Sequence, residues 1–132
     1  MKGYSVGLEK ETLNNSDFRR VLYTGKHSQL VLMSLKPGEE IGEEVHETVD
    51  QFFRFEKGEG AVVIDGVSNQ VRDGSAAIVP AGARHNVINT SKTSELKLYT
   101  IYSPPEHIDK VVRHTKADAE AEPEEYDGKP TE

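Results

Sequence analysis

Glycine and proline cut the stretch from Arg19 to Tyr102 into short apolar runs, most of which start about eight to twelve residues apart, a rhythm that points to a many-stranded β fold. The runs are Arg19 to Thr24, Ser28 to Leu35, Gln51 to Phe55, Ala61 to Ile64, Asn69 to Val71, Ser75 to Val79, His85 to Asn89 and Leu96 to Tyr102. Gly25-Lys26-His27 separates the first two as a hairpin turn, Lys36-Pro37-Gly38 ends the second, and Asp65-Gly66 marks a tight hairpin. An all-β chain of this kind closes as an antiparallel sandwich or barrel. At 132 residues it is long enough for one real core, and it shows neither an internal repeat nor a second domain.

Two of these runs carry chemistry. Glu44 and His46 are two apart and so share a strand face, roughly 7 Å apart along the chain. After a short turn, Gln51, Phe53 and Phe55 share the inward face of a returning strand while Arg54 takes the other. Later, Pro80-Ala81-Gly82 turns the chain into a strand on which His85, Val87 and Asn89 alternate. Glu44, His46, Gln51 and His85 are therefore spaced to converge on one divalent metal. Glu40, Glu43, Glu47 and Asp50 crowd the same stretch, so another acid could take the place of Glu44, and Glu44 itself could be one more solvated acid in that run.

The pattern Gly38, five residues, Glu44, one residue, His46, four residues, Gln51, six residues, Gly58 resembles the first motif of the cupin superfamily in spacing throughout. Gly74, five residues, Pro80, one, Gly82, two, His85, three, Asn89 resembles the second without departure. The pair reads as a small single-domain cupin of the conserved-barrel type, which implies a double-stranded β-helix, or jelly roll. Cupins of the usual type have histidines at the positions of Glu44 and His46, glutamate at Gln51 and histidine at His85. The two exchanges here offset in charge, which keeps one carboxylate in the set and argues for a retained metal. His46, His85 and Glu44 then compose a 2-His-1-carboxylate set suited to Fe and also able to hold Mn, Zn or Ni, with Gln51 as a weak oxygen ligand or a supporting donor. The resemblance also implies a homodimer, commonly with exchange of N-terminal strands. Ser5 to Leu8 or Arg19 to Thr24 are the candidates for that exchange.

Composition narrows the remaining options. With no cysteine, any metal must be held by nitrogen and oxygen. No apolar stretch is long enough to span a bilayer, and Met1 to Gly7 lacks the apolar core of a signal peptide, so a cytoplasmic location is expected. The net charge of −7 argues against a nucleic-acid surface. Most of that charge lies in residues 115–132, where seven acids face two lysines. The barrel is accordingly assigned to residues 1–114. Residues 115–132 are expected to form an acidic, largely disordered tail with a short exposed helix from Lys116 to Glu122. His107 and His114 fall beyond the barrel strands and read as surface residues, Tyr99 and Tyr102 read as packing residues, and Arg84 is the best-placed cation for a ligand anion.

Three functions remain open at this point. A metal acting as Lewis acid, with Glu44 and Gln51 as catalytic residues, would make an isomerase or epimerase for a sugar or hydroxy-carbonyl compound, as in the sugar-phosphate isomerase branch that cupins of this size resemble. An iron held by the same residues would make a dioxygenase. A barrel that binds a small ligand without turnover is the non-enzymatic alternative. In each case the partner is a small molecule.

Overall fold

A computed structural model describes residues 1–132. Its strands are β1 (Arg19–Thr24), β2 (Gln29–Leu35), β3 (Glu44–Val45), β4 (Asp50–Lys57), β5 (Glu59–Ile64), β6 (Val67–Arg72), β7 (Ala76–Val79), β8 (Arg84–Asn89), β9 (Leu96–Ser103) and β10 (Val112–Arg113). Two short helices flank them, α1 (Leu8–Asn14) and α2 (Lys116–Ala121). One sheet has six strands in the order β10-β1-β2-β9-β4-β7, and the other has four in the order β3-β8-β5-β6. All the pairings are antiparallel, which gives the jelly roll expected from the turn spacing. The Asp65-Gly66 hairpin forms as read: both residues have positive φ, and Ile64 pairs with Val67 across it.

The core fills the space between the two inner faces. Met33, Leu35, Phe53, Phe55, Val62, Val87, Leu96 and Leu98 are all essentially inaccessible there. On β4 burial alternates as the period-2 pattern requires, with Gln51, Phe53 and Phe55 inside. Gly58 shows why its position is restricted. Its φ is +106°, and a Cβ there would sit 2.6 Å from the Glu95 carbonyl oxygen.

At the N-terminus, α1 begins at Leu8, and β1 pairs with β2 and β10. One expectation needs correction. The acidic tail, expected to be frayed, lies on the barrel. Thr131 and Thr24 exchange hydrogen bonds of 2.8 and 2.9 Å, the Tyr126 N–H donates to the Glu106 carbonyl, and Glu132 accepts from the Lys2 and Gly3 N–H groups and from the Tyr23 hydroxyl. Glu124 is the tail acid that meets buried donors, while Glu132 takes exposed ones at the rim. No helix is long and apolar enough to cross a membrane.

Candidate metal centre

The site is assembled along β8. After Pro37-Gly38 the chain runs antiparallel to that strand: the Asn89 N–H donates to the Glu39 carbonyl and the Ile41 N–H to the Val87 carbonyl, both at 2.9 Å. The register ends with Glu44 opposite His85. Buried Asn89 anchors the far end, its amide donating to the carbonyls of Leu35, Lys36 and Ser94. The turn Pro80-Ala81-Gly82 is fastened to the stretch between β3 and β4 by two bonds of 2.8 Å. The Gly82 N–H donates to the His46 carbonyl and the Ala81 N–H to Asp50 Oδ1. The proline-glycine turn thus fixes the second run of site residues against the first.

Ligand atoms of Glu44, His46 and His85 lie within 4.8 Å of one another. His85 is buried, and its Nδ1 sits 3.2 Å from the Ala83 carbonyl, an arrangement that places the proton on Nδ1 and leaves Nε2 free to coordinate. His46 Nδ1 lies 3.5 Å from Glu106 Oε1, and its Nε2 lies 2.8 Å from Glu44 Oε2. That second contact is off the N–H axis, since Nε2 is buried without a hydrogen-bond partner. Gln51 is 2% exposed; its amide nitrogen donates to Thr100 Oγ1 at 3.0 Å, and its Oε1 has no partner. Buried polar atoms are normally paired. Four side-chain atoms in this chain lack an aligned hydrogen bond, namely Arg19 Nε, His46 Nε2, Gln51 Oε1 and Arg54 Nε, although Arg54 Nε lies 2.7 Å from Glu56 Oε1. Two of the four belong to the ligand set read from the sequence, and a third, on Arg19, faces the same cavity. The residues present therefore fit a divalent ion with nitrogen and oxygen donors.

That cavity, of about 290 Å³, opens over Glu44 and His46. Phe18 and Ile41 supply apolar wall, Arg19, Glu106 and His107 supply polar wall, and α2 and the tail form the roof through Lys116, Ala119, Glu120, Pro123 and Glu124. A larger depression elsewhere, bounded by Lys57, Asp73 and Thr93, has no apolar lining and none of this chemistry.

A family model described as Cupin domain matches residues 31–102, more than half of the chain. The chain is a cupin. It is 49% identical to the uncharacterized protein YrkC of Bacillus subtilis over 91% of this chain and 67% of that protein. It is 47% identical to an uncharacterized protein of Acanthamoeba polyphaga mimivirus over 79% of this chain and 67% of that one. A crystal structure from Bacillus halodurans superposes with a TM-score of 0.89 at 44% identity, covering 92% of this chain and 96% of the other.

Several polar residues of this cupin's site carry little local signal of their position. His107, read as a surface residue, is buried. Its Nε2 lies 3.1 Å from the Tyr102 hydroxyl and its Nδ1 2.7 Å from Glu124 Oε1. Tyr102 in turn sets its ring edge-on to His46, with centroids 6.0 Å apart. His114 does stay exposed, beside Asp17. Arg84 points outward to Glu43, and the cations on the cavity wall are Arg19 and Lys116. Strand alternation places Arg19 on the same face as Val21, which is the one sequence signal that it points inward. Glu106 and Glu124 carried no such signal.

The site's electrostatics follow from burial and proximity. Burial pushes the Glu44 carboxyl up, but the neighbouring His46 ring, with Arg19 and His85, outweighs it and holds the group below the usual carboxylate range. Glu44 in turn raises His46 against the effect of burial. Burial raises Glu106 and lowers His107. Burial also pushes the Tyr102 phenol above its ordinary value, so it stays protonated as a hydrogen-bond donor.

Proposed function

We propose that this cupin holds a divalent metal ion on Glu44, His46 and His85, with the Gln51 carbonyl oxygen as a further donor, and that it rearranges a small hydroxy-carbonyl compound such as a sugar. The observation that carries the reading is the convergence of ligand atoms of Glu44, His46 and His85 within 4.8 Å of one another, with His46 Nε2 buried and lacking an aligned hydrogen bond. Lewis-acid polarisation of adjacent carbonyl and hydroxyl oxygens is the chemistry that the ion would supply.

The chain's own groups have separate tasks. The Ala83 carbonyl orients the His85 ring, and Glu106 stands behind His46, so both imidazoles are held for coordination. Glu106 also lines the cavity and is the carboxylate placed to accept a proton from a bound carbon acid and return it. Phe18, Ile41 and Ala119 supply the apolar part of the cavity wall. Gln51 is too deeply buried to touch a ligand in the cavity, and its part is coordination.

The donor set of two histidines and one carboxylate also favours a second reading, an Fe(II)-dependent dioxygenase. A barrel that binds its ligand without turnover is the third. Elemental analysis of tag-free protein, repeated on His46→Ala and His85→Ala, is the first test. Near-stoichiometric metal that is lost in both variants is expected, and a native protein that stays metal-free after reconstitution with each ion would overturn the proposal. Activity with several divalent ions under argon supports rearrangement. Strict iron dependence with O₂ uptake supports the dioxygenase.

A further inference from the structure

Arg19 is 8% exposed, and its Nε is buried without a hydrogen-bond partner. Its nearest acid is Glu124, with Nη1 3.8 Å from Oε1. The other charged groups on the cavity wall have claims of their own. Glu124 is bound to His107 at 2.7 Å and lies 3.4 Å from Arg113, Glu106 faces His46, Glu120 lies 3.9 Å from Lys116, and Glu44 faces the two histidines. Arg19 is left as a largely buried, permanently charged fork that lies over the Phe18 ring, has its nearest acid beyond hydrogen-bond reach, and lines the same small cavity as Glu44 and His46. A ligand that accepts from the fork would complete a pairing that Glu124 leaves partial.

We propose that Arg19 is the carboxylate-binding residue of this site, and that its ligand is a small carboxylic acid bearing a hydroxyl or carbonyl oxygen on the adjacent carbon. The substrate class rests on the metal-centre reading, because the second oxygen is the one that the centre would take. A planar carboxylate matches the guanidinium through two parallel hydrogen bonds. A phosphate fits worse, since it would bring a second negative charge among Glu44, Glu106, Glu120 and Glu124 with one arginine to meet it. The cavity's volume, about 290 Å³, lies at the small end for ligand pockets and suits an acid of a few carbons.

Calorimetric titration of lactate and of its uncharged analogue lactamide into the full chain tests this, with the metal content of every sample measured beforehand. Lactate is expected to bind at least about tenfold more tightly than lactamide. Arg19→Gln is expected to lower lactate affinity by about tenfold or more, with lactamide unchanged. Arg19→Lys keeps a charge facing Glu124 and serves if Arg19→Gln does not fold; without the planar fork it too is expected to bind lactate more weakly. Absence of lactate binding, equal affinity for the two probes, or lactate affinity unchanged in a folded Arg19 variant would each overturn the proposal. Arg19-dependent lactate binding to a protein that carries no metal would keep the arginine's role and overturn the metal reading. Metal-loaded protein whose lactate affinity is indifferent to Arg19 would overturn the subsite alone.

Discussion

At the scale of single residues, an unpaired buried acceptor has a cost that a bound ion removes. Gln51 Oε1 is such an atom, and Gln51→Leu deletes it while nearly keeping the side-chain volume. The variant loses the amide's bond to Thr100, but the Thr100 hydroxyl keeps its bond to the Phe52 carbonyl. The metal-free variant is expected to unfold within about 1 kcal/mol of the native chain in a urea titration, with its metal affinity lowered about tenfold. Unchanged affinity would place Gln51 outside the coordination sphere. Gly58→Ala carries the opposite kind of expectation, because the added methyl would meet the Glu95 carbonyl at 2.6 Å on a backbone of positive φ. A loss of about 2 kcal/mol or more in the same titration is expected, with metal content unaffected in the folded fraction.

Among elements, the tail is the one whose role its composition conceals. Seven acids in residues 115–132 read as a solvated end, yet Glu124 has a side chain only 5% exposed, with His107, Arg113 and Arg19 around it. Burial pushes the Glu124 carboxyl up, but the His107 hydrogen bond and the charges of His107, Arg19 and Arg113 outweigh it and hold the group below its ordinary value. Burial holds His107 below its ordinary value as well. Both groups bind protons more readily once the chain unfolds. The stability they contribute is therefore complete above the unfolded histidine value of about 6.5 and is lost as pH falls through their folded values. Thermal melts between pH 8 and pH 4 are expected to fall on the acid side, with a shallower fall in Glu124→Gln, which at neutral pH costs about 1–3 kcal/mol by leaving buried donors without a charged acceptor. The strands from β1 to β9 were legible because glycine, proline and period-2 alternation are local signals, and Glu44, His46 and His85 were legible because two of those strands position them. Arg19, His107 and Glu124 were not, because each acquires its surroundings from a segment distant in sequence. No local pattern shows that residue 124 lies against residues 19 and 107.

For the whole molecule, the sheet edges and the metal make separate claims. A homodimer would cover exposed sheet edges, and β7 and β6 are two such edges, where Ile78 and Val67 are 66% and 63% exposed. Light scattering is expected to give twice the chain mass, and a monomeric mass removes the dimer. An ion bound only to the folded state stabilises it by mass action, by about 2.7 kcal/mol at a hundredfold excess over Kd. Stripping the protein with a chelator should lower the Tm by about 10 °C, and reconstitution should restore it. An unchanged Tm would mean that nothing is held at the centre.

The roof of the cavity has one more consequence, in the order of events during synthesis. Glu44, His46 and His85 leave the ribosome well before the residues that cover them, and Glu124 and its neighbours follow near the end of this stretch of chain. A nascent barrel would therefore present Glu44, His46 and His85 before α2 and the tail come to lie beside them. A product cut short before residue 116 would keep the three side chains and lack one wall of the cavity.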